Sequence, residues 1–217
     1  MRRVPLILVA VILLFSCAQK RLVPVGNGVS VDPKSHTAVY EDERIRILVK
    51  ANAWDGYPES LSYKLLPIYM EVVNRGDEPV ELKKEDIVLI DDLGNQYNPL
   101  DPKDAAEVAR GGSKVGVSVG VGLSTSHYGL GWLAGTPYDV DTEDVVNKAF
   151  IPGRVYPGAK LKGFLYFQKL HDKANRVTLR IGYKIGGRPS VAEFKFKVED
   201  GKGSADNGNK EDREEDR

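Results

Sequence analysis

Apolar and polar residues alternate with a period of two through much of the chain. In Arg176–Ile185, the residues Val177, Leu179, Ile181, Tyr183 and Ile185 share one face, and Arg176, Thr178, Arg180 and Lys184 share the other. Phe194, Phe196 and Val198 alternate with Glu193, Lys195 and Lys197, and Ile45, Ile47 and Val49 alternate with Arg44, Arg46 and Lys50. This spacing predicts half-buried antiparallel strands with basic outer faces. Leu65–Val73 and Lys162–Phe167 are apolar on both faces, as central strands are. Turn signals punctuate the runs at Asn74-Arg75-Gly76-Asp77, Asp92-Leu93-Gly94-Asn95, Pro157-Gly158 and Gly186-Gly187. Many short strands at such intervals predict an all-β sandwich. Two stretches read as helical. Pro102–Arg110 follows Asp101, and Asp141–Phe150 has Asp141 as its cap and Asp144 closing a capping-box-like pair.

Ile68-Tyr69-Met70-Glu71-Val72-Val73-Asn74 leads through Gly76-Asp77-Glu78-Pro79-Val80 to Asp86-Ile87-Val88-Leu89-Ile90-Asp91 and ends in Gly94-Asn95-Gln96-Tyr97. This succession resembles the strand-turn-strand core of a bacterial immunoglobulin-like domain found in exported lipoproteins and otherwise of unknown function. Pro157-Gly158, Gly163 and Phe167 resemble that family's next strand. The resemblance spans residues 40–100 and 152–199 and leaves 101–151 as an insertion. It implies an immunoglobulin-like antiparallel β-sandwich, with a Gly-rich insertion and one or two short helices, and says almost nothing about activity.

The N-terminus supplies an address. Arg2 and Arg3 precede an uncharged apolar run from Val4 to Phe15, followed by Ser16 and Cys17. A basic head, a short apolar stretch and a small residue before the break are the layout of a secretory signal, and the run is shorter than the ~20 residues of a comfortable span. Leu14-Phe15-Ser16-Cys17 resembles the bacterial lipoprotein signal, with Cys17 as the acylated new N-terminus. Cys17 is the only cysteine, so a disulfide framework is excluded. Ala18 follows it; the lack of Asp there resembles the outer-membrane default of hosts with two membranes.

The expected division is therefore a signal peptide over 1–16, a tether over 17–37 with one short strand near Val29–Val31, a sandwich over 38–199 and a disordered acidic tail over 200–217. The full chain carries 31 basic and 31 acidic residues, and losing Arg2 and Arg3 with the leader leaves 29 against 31. Such a balance lacks the basic footprint of a nucleic-acid binder.

The insertion is the least ordinary segment. No charge falls between Val115 and Tyr138, and Val115, Val117, Val119, Val121 and Leu123 alternate with Gly116, Ser118, Gly120 and Gly122. A strand with Gly and Ser along one face invites close approach by another backbone. A hairpin folded back over the sandwich is one reading. An exposed apolar hairpin that meets a partner or the outer leaflet, with Val117, Val121, Tyr128 and Trp132 in the contact, is a second. A further membrane span is a third, against which six glycines and the period of two argue.

Catalytic and metal chemistry find little material. Ser124 and Ser126 lie beside His127, but the second Gly of a nucleophile elbow is missing, and neighbours on a strand face opposite ways. His36 and His171 stand apart in sequence. Asp139, Asp141 and Asp144 alternate and are a candidate calcium cluster, although they lack the Gly and distal Glu of the twelve-residue loop. Arg75-Gly76-Asp77 spells an adhesion tripeptide, which a turn with Gly at φ > 0 explains without a receptor. The expectation is a non-catalytic, cofactor-free interaction or accessory module of the bacterial cell envelope. It is held to the membrane through its N-terminal lipid and meets an envelope protein partner. A small-ligand or divalent-metal module is the alternative.

Overall fold

The computed structural model describes residues 20–26, 28–111 and 142–200. Within them, two antiparallel sheets pack face to face around one core. The first contains β1 (Lys20–Val25), β6 (Val80–Asp91), β7 (Gln96–Tyr97), β10 (Arg176–Ile185) and β11 (Arg188–Asp200), in the order β1-β11-β10-β6-β7. The two-residue β8 (Arg154–Val155) pairs with β6 beside this path. The second sheet holds β2 (Ser30–Asp32), β3 (Thr37–Glu41), β4 (Ile45–Ala51), β5 (Leu65–Asn74) and β9 (Lys160–Gln168), in the order β2-β3-β4-β5-β9.

Six of these strands reproduce the immunoglobulin pattern. β4, β5 and β9 occupy the A, B and E places, while β6, β10 and β11 occupy C, F and G. The chain between C and E makes no D strand among the described residues. It carries α2 (Pro102–Arg110), α3 (Glu143–Asn147) and β8 instead.

Alternation sets which side of each strand faces the core. Val177, Leu179, Ile181, Tyr183 and Ile185 are all buried, as are Phe194, Phe196, Ile45, Ile47 and Val49. β5 and β9 are buried on both faces because helices lie over the outside of the second sheet. There Leu61, Leu65, Ala105, Ala106, Ala109, Val145, Phe164 and Tyr166 form a second apolar cluster. Leu61 belongs to a one-turn helix, α1 (Leu61–Lys64).

α2 matches its predicted bounds. Asp101 precedes a Pro at the first turn and Gly111 closes the helix in the left-handed region at φ +98°.

Three expectations are corrected. Residues 20–37 are not a tether: β1 pairs with β11 along its whole length, from Lys20 opposite Asp200 to Val25 opposite Lys195, and β2 pairs with β3. Leu22 is fully buried, which is what draws this segment into the core. The second helix is shorter than predicted, its N-cap is Thr142, and no side chain caps it. Asp144 is drawn away by other partners, while Phe150 at the predicted end enters the main core. Finally, Gly76 does not take a positive φ. A Cβ there would lie 3.3 Å from that of Arg44, so close approach accounts for it. The N–H groups of Arg75 and Gly76 both donate to the Arg44 carbonyl, at 2.7 and 3.0 Å.

Strand direction gives the sandwich two poles. At one lie the turns after β5 and β10 and the turn before β9, where Gly186 approaches Glu78 and the buried Asn74 donates to the carbonyls of Glu78 and Val155. At the other lie the start of β1, the end of β11, the turn between β6 and β7, and the loop from β9 to β10.

Candidate functional site

The outer face of the second sheet carries a cluster of aromatic and charged side chains. β9 presents Phe164 and Tyr166, β5 presents Tyr69, and the segment after β4 folds Trp54 over them. Trp54 meets Phe164 edge-on at 5.0 Å and Tyr166 at 6.0 Å, and Tyr69 meets Phe164 at 5.5 Å. The indole N–H donates to the Pro58 carbonyl at 3.0 Å. Above the indole lies the Lys148 ammonium, 5.9 Å from the ring centroid, which also reaches Asp55 at 3.2 Å and Asp144 at 3.6 Å. The neighbouring Asp55 carboxylate, with Asp144 behind it, holds the Lys148 pKa above its ordinary value.

Asp144 is thus committed. Its carboxylate accepts from the Tyr57 N–H at 2.8 Å and pairs with Lys148. A Cβ on Gly56 would come within 2.7 Å of the Trp54 ring and 3.0 Å of the Asp144 carboxylate, so this loop needs glycine to close. Asp139 and Asp141, the other members of the proposed calcium cluster, lie outside the described residues. Among the described residues, no group of three His, Cys, Asp or Glu side chains could hold a metal ion.

The Tyr166 hydroxyl is buried and has no hydrogen-bond partner among the described residues. Burial, together with the Asp144 charge, pushes its pKa well above the ordinary tyrosine value. An orphaned buried hydroxyl costs about 1–3 kcal/mol of desolvation. Tyr166→Phe is therefore expected to raise stability by about 1 kcal/mol, measured by urea unfolding; a loss of stability would mean that the hydroxyl is bonded in solution.

Within the insertion, the end of α2 is joined to the start of α3. Arg110, last in α2, donates through Nε and Nη2 to the hydroxyl of Thr142 at 3.1 and 2.9 Å, and Thr142 is buried. Val117, Val121, Tyr128 and Trp132, the predicted partner contacts, lie outside the described residues, as do Ser124, Ser126 and His127.

A groove of about 420 Å³ lies where the sheets part, lined by Lys83, Lys84, Asp101, Pro102, Ile151 and Pro152 among others. Lys84 and Asp101 pair across it at 2.6 Å. Its wall is a bulge: the register of β6 against β10 jumps from Ile87 opposite Ile181 to Leu82 opposite Tyr183. A lysine-bearing bulge protects an open strand edge from further pairing.

Both described histidines serve the backbone. The His36 Nδ1 lies 3.0 Å from the Leu22 carbonyl, and the His171 Nδ1 accepts from the Lys173 N–H at 3.2 Å. The basic outer row is partly neutralised, since Arg180 pairs with Glu193 at 2.9 Å. Cys17 lies outside the described residues, and among those described no helix is long and apolar enough to cross a membrane.

No family profile matches the chain, and no curated protein matches it. Among solved structures it is similar to the GAE domain of GGA2p from Saccharomyces cerevisiae, at 7% identity and a TM-score of 0.32, over 76% of this chain and 98% of that one. An overlap this loose adds nothing to the sheet order described above.

Proposed function

We propose that the protein is a lipid-anchored component of the bacterial cell envelope, acting as a non-catalytic interaction or accessory module at a membrane surface. One observation carries the reading. The only cysteine of the chain follows Leu14-Phe15-Ser16, directly after a basic head and a short apolar run. An otherwise cysteine-free exported chain has little other use for a thiol at that position. Acyl chains on Cys17 contribute about 0.8 kcal/mol per buried methylene, and two or more of them hold firmly. The sandwich is a scaffold of this kind of module, and the Gly-rich uncharged stretch Val115–Tyr138 supplies the contact.

Cys17→Ser tests the reading. The wild-type protein should sediment with membranes and resist extraction by high salt, whereas the variant should appear uncleaved or in the soluble fraction and take up no labelled fatty acid. Equal labelling and equal membrane retention in the two would sink the proposal.

The alternative is a small-ligand or divalent-metal module using Asp139, Asp141 and Asp144. It is the weaker reading, because Asp144 would have to give up both Tyr57 and Lys148 to become a ligand.

A further inference from the structure

The first strand starts three residues after Cys17. At about 3.3–3.6 Å per extended residue, Lys20 lies no more than roughly 11 Å along the chain from the acylated position. A tether running to residue 37 would have allowed several times that reach. The difference decides how the domain sits, since a rigid strand cannot swing away from its own first residue.

The pole around Lys20 is built as one piece. The Lys20 ammonium donates to the carbonyl of His171 at 3.0 Å and also to that of Asp172. The Tyr97 hydroxyl accepts from the His171 N–H and donates to Asp91 at 2.9 Å, which ties this loop to the turn after β6. Asp92 completes the link: its N–H donates to the Arg176 carbonyl at 3.1 Å and its carboxylate accepts from the Asn175 N–H at 3.0 Å. From this joined surface Leu93 projects with 51% of its area exposed, at the tip of the turn between β6 and β7. Arg21, Lys173 and Arg176 are exposed around it.

α1 and the end of α2 lie on the flank toward the same pole. Lys64, immediately before β5, donates to the carbonyl of Ala109 near the end of α2, and Lys169 donates to the carbonyl of Ser62 at 2.9 Å.

We infer that the sandwich stands end-on against the lipid surface, with the pole formed by Lys20, Arg21, Leu93, His171, Lys173 and Arg176 facing the headgroups. This rests on the lipid-anchor reading and adds an orientation to it. Exposed Asp92, Asp172, Glu199 and Asp200 lie among the basic residues here, so the pole carries no strong field of one sign. Chain length, not charge, imposes the seating. Leu93 is placed to enter the headgroup layer, and the long stems of Arg21 and Lys173 can lie along it with their charges in water. The opposite pole, with Asp77, stands a β10 length away, about 30 Å at ~3.3 Å per residue.

The chain lends itself to a direct test, because an acylated Cys17 has no free thiol. Full-length acylated protein carrying Leu93→Cys, Lys173→Cys or Asp77→Cys is labelled with a small fluorophore. Each is reconstituted into phosphatidylethanolamine–phosphatidylglycerol vesicles that contain a lipid with a nitroxide on its headgroup. The expected result is loss of emission at 93 and 173, and none at 77. Equal quenching at all three positions, or quenching at 77 alone, would overturn the orientation while flotation with the vesicles leaves the anchor standing. Failure to float would overturn the anchor and the orientation with it.

Discussion

Gly163→Val is expected to cost about 3 kcal/mol or more, the upper range of overpacking a well-filled site. For a domain of this size that is a fall in Tm of roughly 6–12 °C. The reason is backbone against backbone. A Cβ on Gly163 would lie 2.5 Å from the Phe150 nitrogen and 2.6 Å from the carbonyl carbon and oxygen of Ala149. Those atoms cannot yield without breaking the bonds that seat the return of the insertion on β9, from Phe150 N–H to the Phe164 carbonyl and from Phe164 N–H to the Lys148 carbonyl, both 2.8 Å. α3 and the aromatic cluster would be displaced together. Gly94→Ala is the useful contrast. It meets open space but sits at φ +85°, so the left-handed backbone alone should cost about 1–2 kcal/mol. Differential scanning calorimetry of the two variants checks the ordering; a Gly163→Val protein as stable as Gly94→Ala would contradict the packing described here.

Asp91→Ala is the second large effect. This carboxylate is 5% exposed and accepts four hydrogen bonds, from the N–H of Leu93 at 3.0 Å, the N–H and side chain of Asn95 at 2.8 and 2.9 Å, and the Tyr97 hydroxyl at 2.9 Å. Removing it strands buried donors in the turn that carries Leu93, at a cost of about 3 kcal/mol. Burial by itself would raise the Asp91 pKa, but the bonds from Asn95, Tyr97 and Leu93 outweigh it and hold the carboxyl below its ordinary value. The sign follows from linkage. A depressed folded-state pKa stabilises above the unfolded value of about 3.9, and the contribution is lost as pH falls through the folded value. The stability gap between wild type and Asp91→Ala in urea should therefore be constant near neutrality and narrow below about pH 4. A gap that widened in acid would contradict the role of the charged form.

The sandwich was legible where one face of a strand is buried and the other is wet. β10, predicted over Arg176–Ile185, has those bounds and that alternation, because a one-residue slip would expose its whole apolar set. The two-sided apolar runs read as central strands; β5 is one, but β9 ends its sheet, and its second apolar face is covered by α2 and α3 instead. β1 escaped notice because Lys20-Arg21 and Pro24 look like loop residues. At a sheet edge, where β1 lies, a proline is tolerated and one deeply buried Leu22 suffices. Asp91 and Asp92 were legible as turn chemistry, but not as the hub that joins the turn to the loop at 171–176, since that link crosses some eighty positions of sequence. Gly163 carried a signal that went unused: a glycine inside a two-sided apolar strand marks a close backbone approach. Of the acidic run only Asp144 lies among the described residues, and its bond to Tyr57 was hidden by sequence distance. Asp144 finds its partners in a loop after β4, far away in sequence.

Cys17 is legible as a pattern, and its position just ahead of β1 is what links the proposed anchor to the proposed orientation. The most direct test of the whole account is the mass of the N-terminal peptide of the protein extracted from native membranes. The account predicts a chain that begins at Cys17 and carries added fatty acyl mass. A chain that still begins at Met1, or a Cys17 with an unmodified thiol, would contradict it.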